Sequence, residues 1–198
     1  MQRCAYNYCA HTKHAGFTLM ELMVATAILI VLVTMATSTF GSAAQNSRAT
    51  SYINNVISSI LLARSEASIS FQSQVIICPS TSGEVCSNTP WEQGWIVFTD
   101  KDLDGMIGEN DELLKVVQSL KEGVSLREHG FPSNRIIFDS EGMPNAIGSL
   151  ILCDERGPQF AKGAIIRATG RPRLATDDDD DGIINTHLGR EENAPCPS

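Results

Sequence analysis

Hydrophobic residues are distributed unevenly along this chain, and the pattern separates a helical front part from a strand-rich remainder. Residues 22–36 contain no charged side chain, and the longer stretch 17–40 contains a single ionisable one, Glu21. An α-helix needs about 20 apolar residues to cross a bilayer. We therefore expect residues 17–40 to form the membrane-spanning half of a helix.

The helical pattern continues beyond this stretch with a different character. Between residues 41 and 70, apolar side chains recur at spacings of three and four, as in an amphipathic helix. They are Ile53, Val56, Ile57, Ile60 and Leu61. This half of the helix is expected to lay one apolar stripe on a sheet.

The remainder, residues 71–198, is rich in short β-branched runs separated by Gly, Pro, Asn and Asp. Six runs predict strands, at residues 74–78, 94–99, 112–120, 135–139, 149–153 and 164–168. No strand–helix–strand alternation is present, so the strands should pair mostly antiparallel. The expected fold class is α+β, with a long N-terminal helix packed on one or two sheets. The last part, residues 177–198, is predicted to be an acidic tail.

Two interpretations compete for the N-terminus. The first is an ordinary secretory signal or a simple membrane anchor. Arg3 and Lys13 could form the positive region of a signal, but the apolar stretch is longer than a signal requires. The alternative is cleavage before the stretch, between Gly16 and Phe17. The sequence Gly16-Phe17-Thr18-Leu19-x-Glu21 followed by an apolar helix resembles the prepilin-peptidase site of type IV pilins and type II secretion pseudopilins.

This resemblance implies how the chain is processed and what it meets. Residues 1–16 would be a leader removed by prepilin peptidase, and Phe17 would become the N-methylated first residue. Glu21 would be the fifth mature residue and would serve assembly with other pilins or pseudopilins. The chain would sit in inner-membrane lipid as a single-pass protein with a periplasmic C-terminal domain before entering a pilus or pseudopilus.

Motifs in the globular part narrow the resemblance to the FimT/GspH group of minor pilins and pseudopilins. They are Cys78-Pro79-Ser80, Cys86, Trp91-x-x-Gly94-Trp95-Ile96-Val97-Phe98-x-Asp100, Asp111-Glu112-Leu113-Leu114, Phe138-x-x-x-Gly142, Gly148-Ser149-Leu150-Ile151-Leu152-Cys153-Asp154 and Gly170-Arg171-Pro172-Arg173. We expect the aromatic residues among them to be core residues.

An enzyme is not expected. The chain lacks nucleophile-elbow, HExxH and phosphate-loop motifs. His129 and His187 are far apart in the sequence and are expected to be isolated surface or loop residues. The chain is therefore predicted to be a structural subunit.

The motif Gly170-Arg171-Pro172-Arg173 is a candidate DNA contact. Pro172 cannot donate to a β-ladder, which predicts an edge strand or a loop. In an extended chain Arg171 and Arg173 point to the same side, about 6.6 Å apart, and could reach neighbouring phosphates of double-stranded DNA. In the FimT branch this pattern is associated with DNA capture during natural transformation. Gly170, Arg167 and Lys162 are expected to support it. The alternative is that the arginines meet a neighbouring pilin or the acidic tail.

The charge of the whole chain and the charge of its tail both count against this interpretation. The chain carries a net charge of −8, and removal of the leader would shift it to −10. A net negative charge of this size disfavours nonspecific binding to nucleic acid. Residues 174–198 contain seven acids and one arginine, Arg190, so a tail lying beside the arginines would repel DNA.

Four cysteines remain beyond the leader, an even number that predicts two disulfides in an oxidising compartment. Three connectivities are open. We favour Cys78–Cys86, which closes a short loop, and Cys153–Cys196, which ties the tail to a strand. Zinc is the alternative, but the cysteines lack the usual close spacing.

Two acidic runs resemble the opening of a calcium-binding EF-hand loop. Their carboxylates are Asp100, Asp102 and Asp104 in the first, and Asp177, Asp179 and Asp181 in the second. The twelfth position, which should be glutamate, is Asp111 in the first and Leu188 in the second. A polar turn or a solvated tail is the simpler interpretation, so no cofactor is required, and calcium is the alternative.

Together these features predict a minor type IV pilin that assembles into or at the tip of a pilus and has a candidate role in DNA uptake. A GspH-like minor pseudopilin of a type II secretion system is the first alternative. A minor pilin with a role only in assembly or adhesion is the second.

Overall fold

The computed structural model describes residues 16–70, 72–187 and 192–196, apart from the side chains of residues 35–40. The expected leader, except Gly16, lies outside the described residues, as do Leu188 and Arg190. Among these residues, one α-helix, α1 (Leu19–Ile69), is followed by eight strands. They are β1 (Gln74–Pro79), β2 (Trp95–Asp100), β3 (Glu112–Val117), β4 (Val124–His129), β5 (Ile136–Phe138), β6 (Gly148–Asp154), β7 (Lys162–Ile166) and β8 (Pro172–Leu174).

The chain divides into two compact units, one ending at Ala44 and the other beginning at Gln45. In the second unit, the strands form two four-stranded sheets with the orders β3-β2-β1-β5 and β4-β6-β7-β8. The strand pairs within both sheets are antiparallel. The α+β class and the antiparallel pairing are therefore confirmed.

The main core of the second unit lies between the C-terminal part of α1 and the inner faces of both sheets. Helix residues at alternating spacings of four and three are buried there, which confirms an apolar stripe. They are Ala49, Ile53, Val56, Ile60, Ala63 and Ala67. Leu61, which was expected in the stripe, is exposed. Trp95 Nε1 donates a hydrogen bond of 3.0 Å to Ser59 Oγ, so its buried polar group is satisfied.

The outer face of each sheet is also covered. Ile76, Cys78, Ile96 and Phe98 form a small cluster on the first sheet. On the second sheet, Ile151 and Cys153 pack with Ile183, Ile184 and Ala194 of the C-terminal segment. The tail is therefore more than a solvated acidic stretch, because its apolar residues bury part of the sheet.

The six predicted strands are present, together with two that the β-branched runs did not predict. β4 contributes only Val124 and Leu126 to the core, so its apolar signal is short. β8 contains Pro172, for which an edge strand or a loop was expected. The structure makes β8 the edge of the second sheet, where a residue without an N–H is tolerated.

Candidate functional site

The N-terminus of α1 holds Glu21 in a defined position. The backbone N–H of Glu21 donates to Thr18 Oγ1 at 3.2 Å, and the N–H of Leu22 donates to the Thr18 carbonyl at 3.2 Å. Thr18 therefore caps the helix, and Glu21 follows at the capping-box spacing. Glu21 is exposed in the first turn, where the helix dipole favours a negative charge.

The rest of this unit presents an apolar surface. The exposed large side chains are Phe17, Leu19, Met20, Leu22, Met23, Val24, Ile28, Leu29, Ile30, Val31, Leu32 and Val33. Side chains of this helix are described up to Thr34 and again from Gly41. Within the part of the chain so described, no helix is long and apolar enough to cross a membrane. Phe17 itself is 84% exposed.

The arginine motif lies at the turn between β7 and β8. The N–H of Gly170 donates to the Arg167 carbonyl at 2.8 Å, which closes a turn with φ of +72° at Gly170. Arg167 and Arg171 are exposed on it. Gly170 is buried, and a Cβ there would overlap the Gly142 carbonyl oxygen. This glycine is therefore required for close backbone packing.

The structure brings only part of the predicted basic set together. Ile166 pairs with Pro172, so Arg167, Arg171 and Arg173 cluster near one end of the hairpin. Lys162 begins β7 and Ile166 ends it, a separation of about 13 Å at the usual rise per residue. Lys162 therefore does not join the cluster.

Arg173 is engaged by the acidic tail. Its Nη1 donates to Thr176 Oγ1 at 3.1 Å and to the Leu174 carbonyl at 3.3 Å, and its Nη2 lies 3.8 Å from Asp178 Oδ2. This is one of the alternatives considered for the motif, in which an arginine meets residues 177–181. An ion pair of this length and exposure contributes little to stability.

A groove of about 510 Å³ adjoins this turn. Its lining includes Ile147, Ile165, Arg167, Arg173, Asp178 and His187. His187 Nδ1 lies 3.1 Å from Ser149 Oγ, and burial, followed by the nearby charge of His129, lowers the pKa of His187. The expectation that the two histidines are isolated is wrong, because the fold brings them together.

The first acidic loop joins β2 to β3. One carboxylate oxygen each of Asp100, Asp102 and Asp104 lies within 4.8 Å of the others. Asp100 is fully buried, and its Oδ2 accepts hydrogen bonds from Gln74 Nε2 at 2.6 Å and from the Gly105 N–H at 2.9 Å. Partial desolvation, followed by the charges of Asp104 and Asp111, raises the pKa of Asp102.

Asp111, at the twelfth position of the first loop, has a different role. Its Oδ1 accepts the Lys101 N–H at 2.8 Å, and its Oδ2 accepts the Gly108 N–H at 2.7 Å. Both oxygens thus close the loop onto its own backbone.

The second acidic loop follows β8. Asp177, Asp179 and Asp181 also bring three carboxylate oxygens within 4.8 Å of one another, but none of these residues is buried. The Gly182 N–H, which donates to Asp177 Oδ2 at 2.8 Å, lowers the pKa of Asp177. Desolvation and the neighbouring Asp177 raise the pKa of Asp179.

Both favoured disulfides are present in the structure. Cys78 is bonded to Cys86 across 8 residues, and Cys153 to Cys196 across 43 residues. The second bond ties the C-terminal segment to β6, next to the apolar contacts of Ile183 and Ile184.

Comparison with known proteins identifies the family. The model of the family described as type II transport protein GspH matches residues 53–170, more than half of the chain. The chain belongs to the GspH family. The prokaryotic N-terminal methylation motif matches residues 11–37, a range that includes Gly16, Phe17 and Glu21. Together the two matches make this GspH-family chain a type IV pilin or pseudopilin, a structural and non-enzymatic protein of the cell envelope.

A solved structure of a minor pilin shows the same fold. The type IV minor pilin FimU of Pseudomonas aeruginosa is 16% identical, with a TM-score of 0.50 over 69% of this chain and 92% of that one. The minor pseudopilin EpsH of the Vibrio cholerae type 2 secretion system is also 16% identical, with a TM-score of 0.49 over 67% of this chain and 99% of that one. No curated protein matches the sequence.

The family match ends at Gly170. The first acidic loop is therefore inside the matched region of this GspH-family chain, whereas Arg171, Arg173 and the second acidic loop follow it.

Proposed function

We propose that this chain is a minor type IV pilin that is cut between Gly16 and Phe17, methylated on Phe17 and built into a filament through Glu21. Before assembly, residues 17–40 hold it in inner-membrane lipid, with the globular part in the periplasm, and prepilin peptidase and other pilins meet it at that membrane. The match to the N-terminal methylation motif supports the processing step.

The observation that carries the assembly step is the setting of Glu21. This residue stands in the first turn of α1 within a surface of exposed apolar side chains. Packing such surfaces against each other removes them from water and would bury the carboxylate, which then needs a partner. The positive α-amino group of Phe17 in a neighbouring subunit supplies the opposite charge and sets the register between subunits.

A substitution that removes the negative charge of Glu21 tests this step. Glu21→Gln keeps the size of the side chain and leaves the Thr18 cap in place, so leader removal should continue. Incorporation into sheared filaments should fall by about tenfold or more, because the α-amino group of the neighbouring Phe17 would be buried without its partner. Glu66→Gln, elsewhere on the same helix, is the matched control. Normal incorporation of Glu21→Gln would contradict the proposal.

The second part of the proposal concerns double-stranded DNA. Arg167 and Arg171 are exposed on one turn beside Arg173, which supports a contact with phosphates. Asp178 opposes this contact, because its negative charge lies near Arg173 and repels phosphates. Binding should therefore be weak and strongly dependent on salt.

Fluorescence anisotropy with a labelled duplex and the full chain in detergent tests this contact at two salt concentrations. Arg171→Gln should weaken binding and lower the salt slope by about one. Lys162→Gln, at the far end of β7, is the matched control, and Asp178→Asn should strengthen binding. Absence of binding, or equal loss in the control, would remove DNA from the proposal.

A minor pseudopilin of a secretion machine is the second candidate, and the description of the matching family favours it. Deleting the gene in its host separates the two roles. Loss of surface pili with normal protein secretion supports the pilin, and the reverse result supports the pseudopilin.

A further inference from the structure

The first acidic loop contains a carboxylate oxygen that has no hydrogen-bond partner among the residues that the structure describes. Asp100 is 0% exposed, and its Oδ1 has no hydrogen-bond partner among the described residues. A buried charged oxygen without a partner is costly, so such a group normally pairs with a cation or a donor. Asp100 belongs to the cluster with Asp102 and Asp104.

The cations of this region do not neutralise the cluster. Arg135 Nη1 donates to the Gly105 carbonyl. Within residues 16–70, 72–187 and 192–196, neither Arg135 nor Lys101 forms an ion pair with a carboxylate. Among these described residues, no ion pair therefore offsets the three carboxylates at one end of β2.

We infer that Asp100, Asp102 and Asp104 bind one Ca²⁺ ion at the junction of β2 with the following loop. All the side-chain donors are oxygens, which suit a hard cation, and their spacing matches the first three ligands of an EF-hand loop. Calcium tolerates the irregular coordination of a short loop better than Mg²⁺, which demands octahedral geometry.

The position of Asp100 gives the ion a structural consequence. Asp100 ends β2 and pairs in register with Gln74 of β1. Because Asp102 and Asp104 lie in the loop, an ion shared by all three ties that loop to the sheet. The β2–β3 loop should therefore be ordered more strongly when calcium is bound.

Isothermal titration calorimetry of the full chain in detergent, after removal of divalent ions with a chelator, tests the site with CaCl2. We expect one ion per chain with a Kd between about 10⁻⁵ and 10⁻³ M. Asp102→Asn and Asp104→Asn alter exposed side chains and should each weaken binding by about tenfold or more, because each removes one charged ligand. Asp100→Asn should do the same, with its folding checked by circular dichroism.

The second acidic loop supplies the matched control, because Asp179→Asn changes a carboxylate at the same spacing. This variant should bind calcium as the unmodified chain does. Absence of heat up to about 10 mM CaCl2 would overturn the inference. So would loss of binding only in Asp179→Asn, and equal affinity for MgCl2 would overturn the assignment to calcium.

Discussion

The two acidic loops share the pattern Asp-x-Asp-x-Asp-Gly but differ in how the fold supports them. In the first, Asp100 is buried at the end of β2 and has one oxygen without a partner among the described residues. In the second, Asp177 is only half-buried, and both of its oxygens accept backbone N–H groups. The same motif is therefore the proposed cation site in the first loop, and in the second loop it forms a turn that is closed by hydrogen bonds to its own backbone.

The difference follows from what holds each loop. The first connects two paired strands of one sheet. The second lies in a segment that is tied to β6 through Cys153–Cys196 and through apolar contacts. Burial of the first carboxylate, rather than the spacing of the acids, separates the two.

Removing a disulfide should produce the largest effect on stability. Only removal of Cys153–Cys196 should also loosen the second acidic loop. Replacing Cys153 and Cys196 by serine opens a 43-residue connection, and chain entropy predicts a loss of roughly 4 kcal/mol. Replacing Cys78 and Cys86 opens 8 residues and should cost roughly 2.5 kcal/mol. Urea unfolding measures both losses of unfolding free energy. Hydrogen exchange in the second acidic loop should rise when Cys153 and Cys196 are replaced, and should not rise when Cys78 and Cys86 are replaced. Equal losses would contradict this expectation.

Calcium should stabilise the protein through the first loop alone. At a free concentration of 100 times the Kd, binding to the folded state contributes about 2.7 kcal/mol. The gain should persist in Asp179→Asn and disappear in Asp104→Asn. Urea midpoints with calcium and with chelator measure it, and a gain that survives in Asp104→Asn would assign the ion elsewhere.

The glycines that follow the two motifs offer a smaller test. Gly105 and Gly182 have φ of +78° and +89°, so alanine at either position should cost about 1 kcal/mol. A Cβ at Gly105 would also lie 3.3 Å from Arg135 Nη1, whereas the space around Gly182 is open. Gly105→Ala should therefore be the more damaging change in urea unfolding. The opposite order would mean that the first loop is the looser one.

The smallest effect concerns pH and the end of the second loop. Because burial and His129 lower the pKa of His187, the folded state favours its neutral form. This contribution is present above the ordinary histidine pKa and is lost as the pH falls through the lowered value. His187→Gln should therefore lose less stability than the unmodified chain between about pH 7 and pH 5. Parallel losses in thermal unfolding would contradict the assignment.

Local patterns predicted much of the fold. Apolar spacing predicted the helix, and β-branched runs predicted six strands because both signals depend on neighbouring residues. β4 was missed because it contributes only Val124 and Leu126 to the core, which is too short an apolar run to predict a strand. The positions of Gly16, Phe17 and Glu21 relative to the apolar helix were readable for the same local reason, and their roles remain predictions.

The sequence by itself determined the α+β class, the cysteine inventory and the residue types available for assembly, DNA and calcium. Only the tertiary structure decided that Arg173 meets Asp178, that His129 lies near His187 and that Asp100 is buried. These juxtapositions depend on the pairing and packing of segments far apart in the chain. Spacing along the sequence carries no direct record of such contacts, because burial and proximity arise only when the sheets and the C-terminal segment come together.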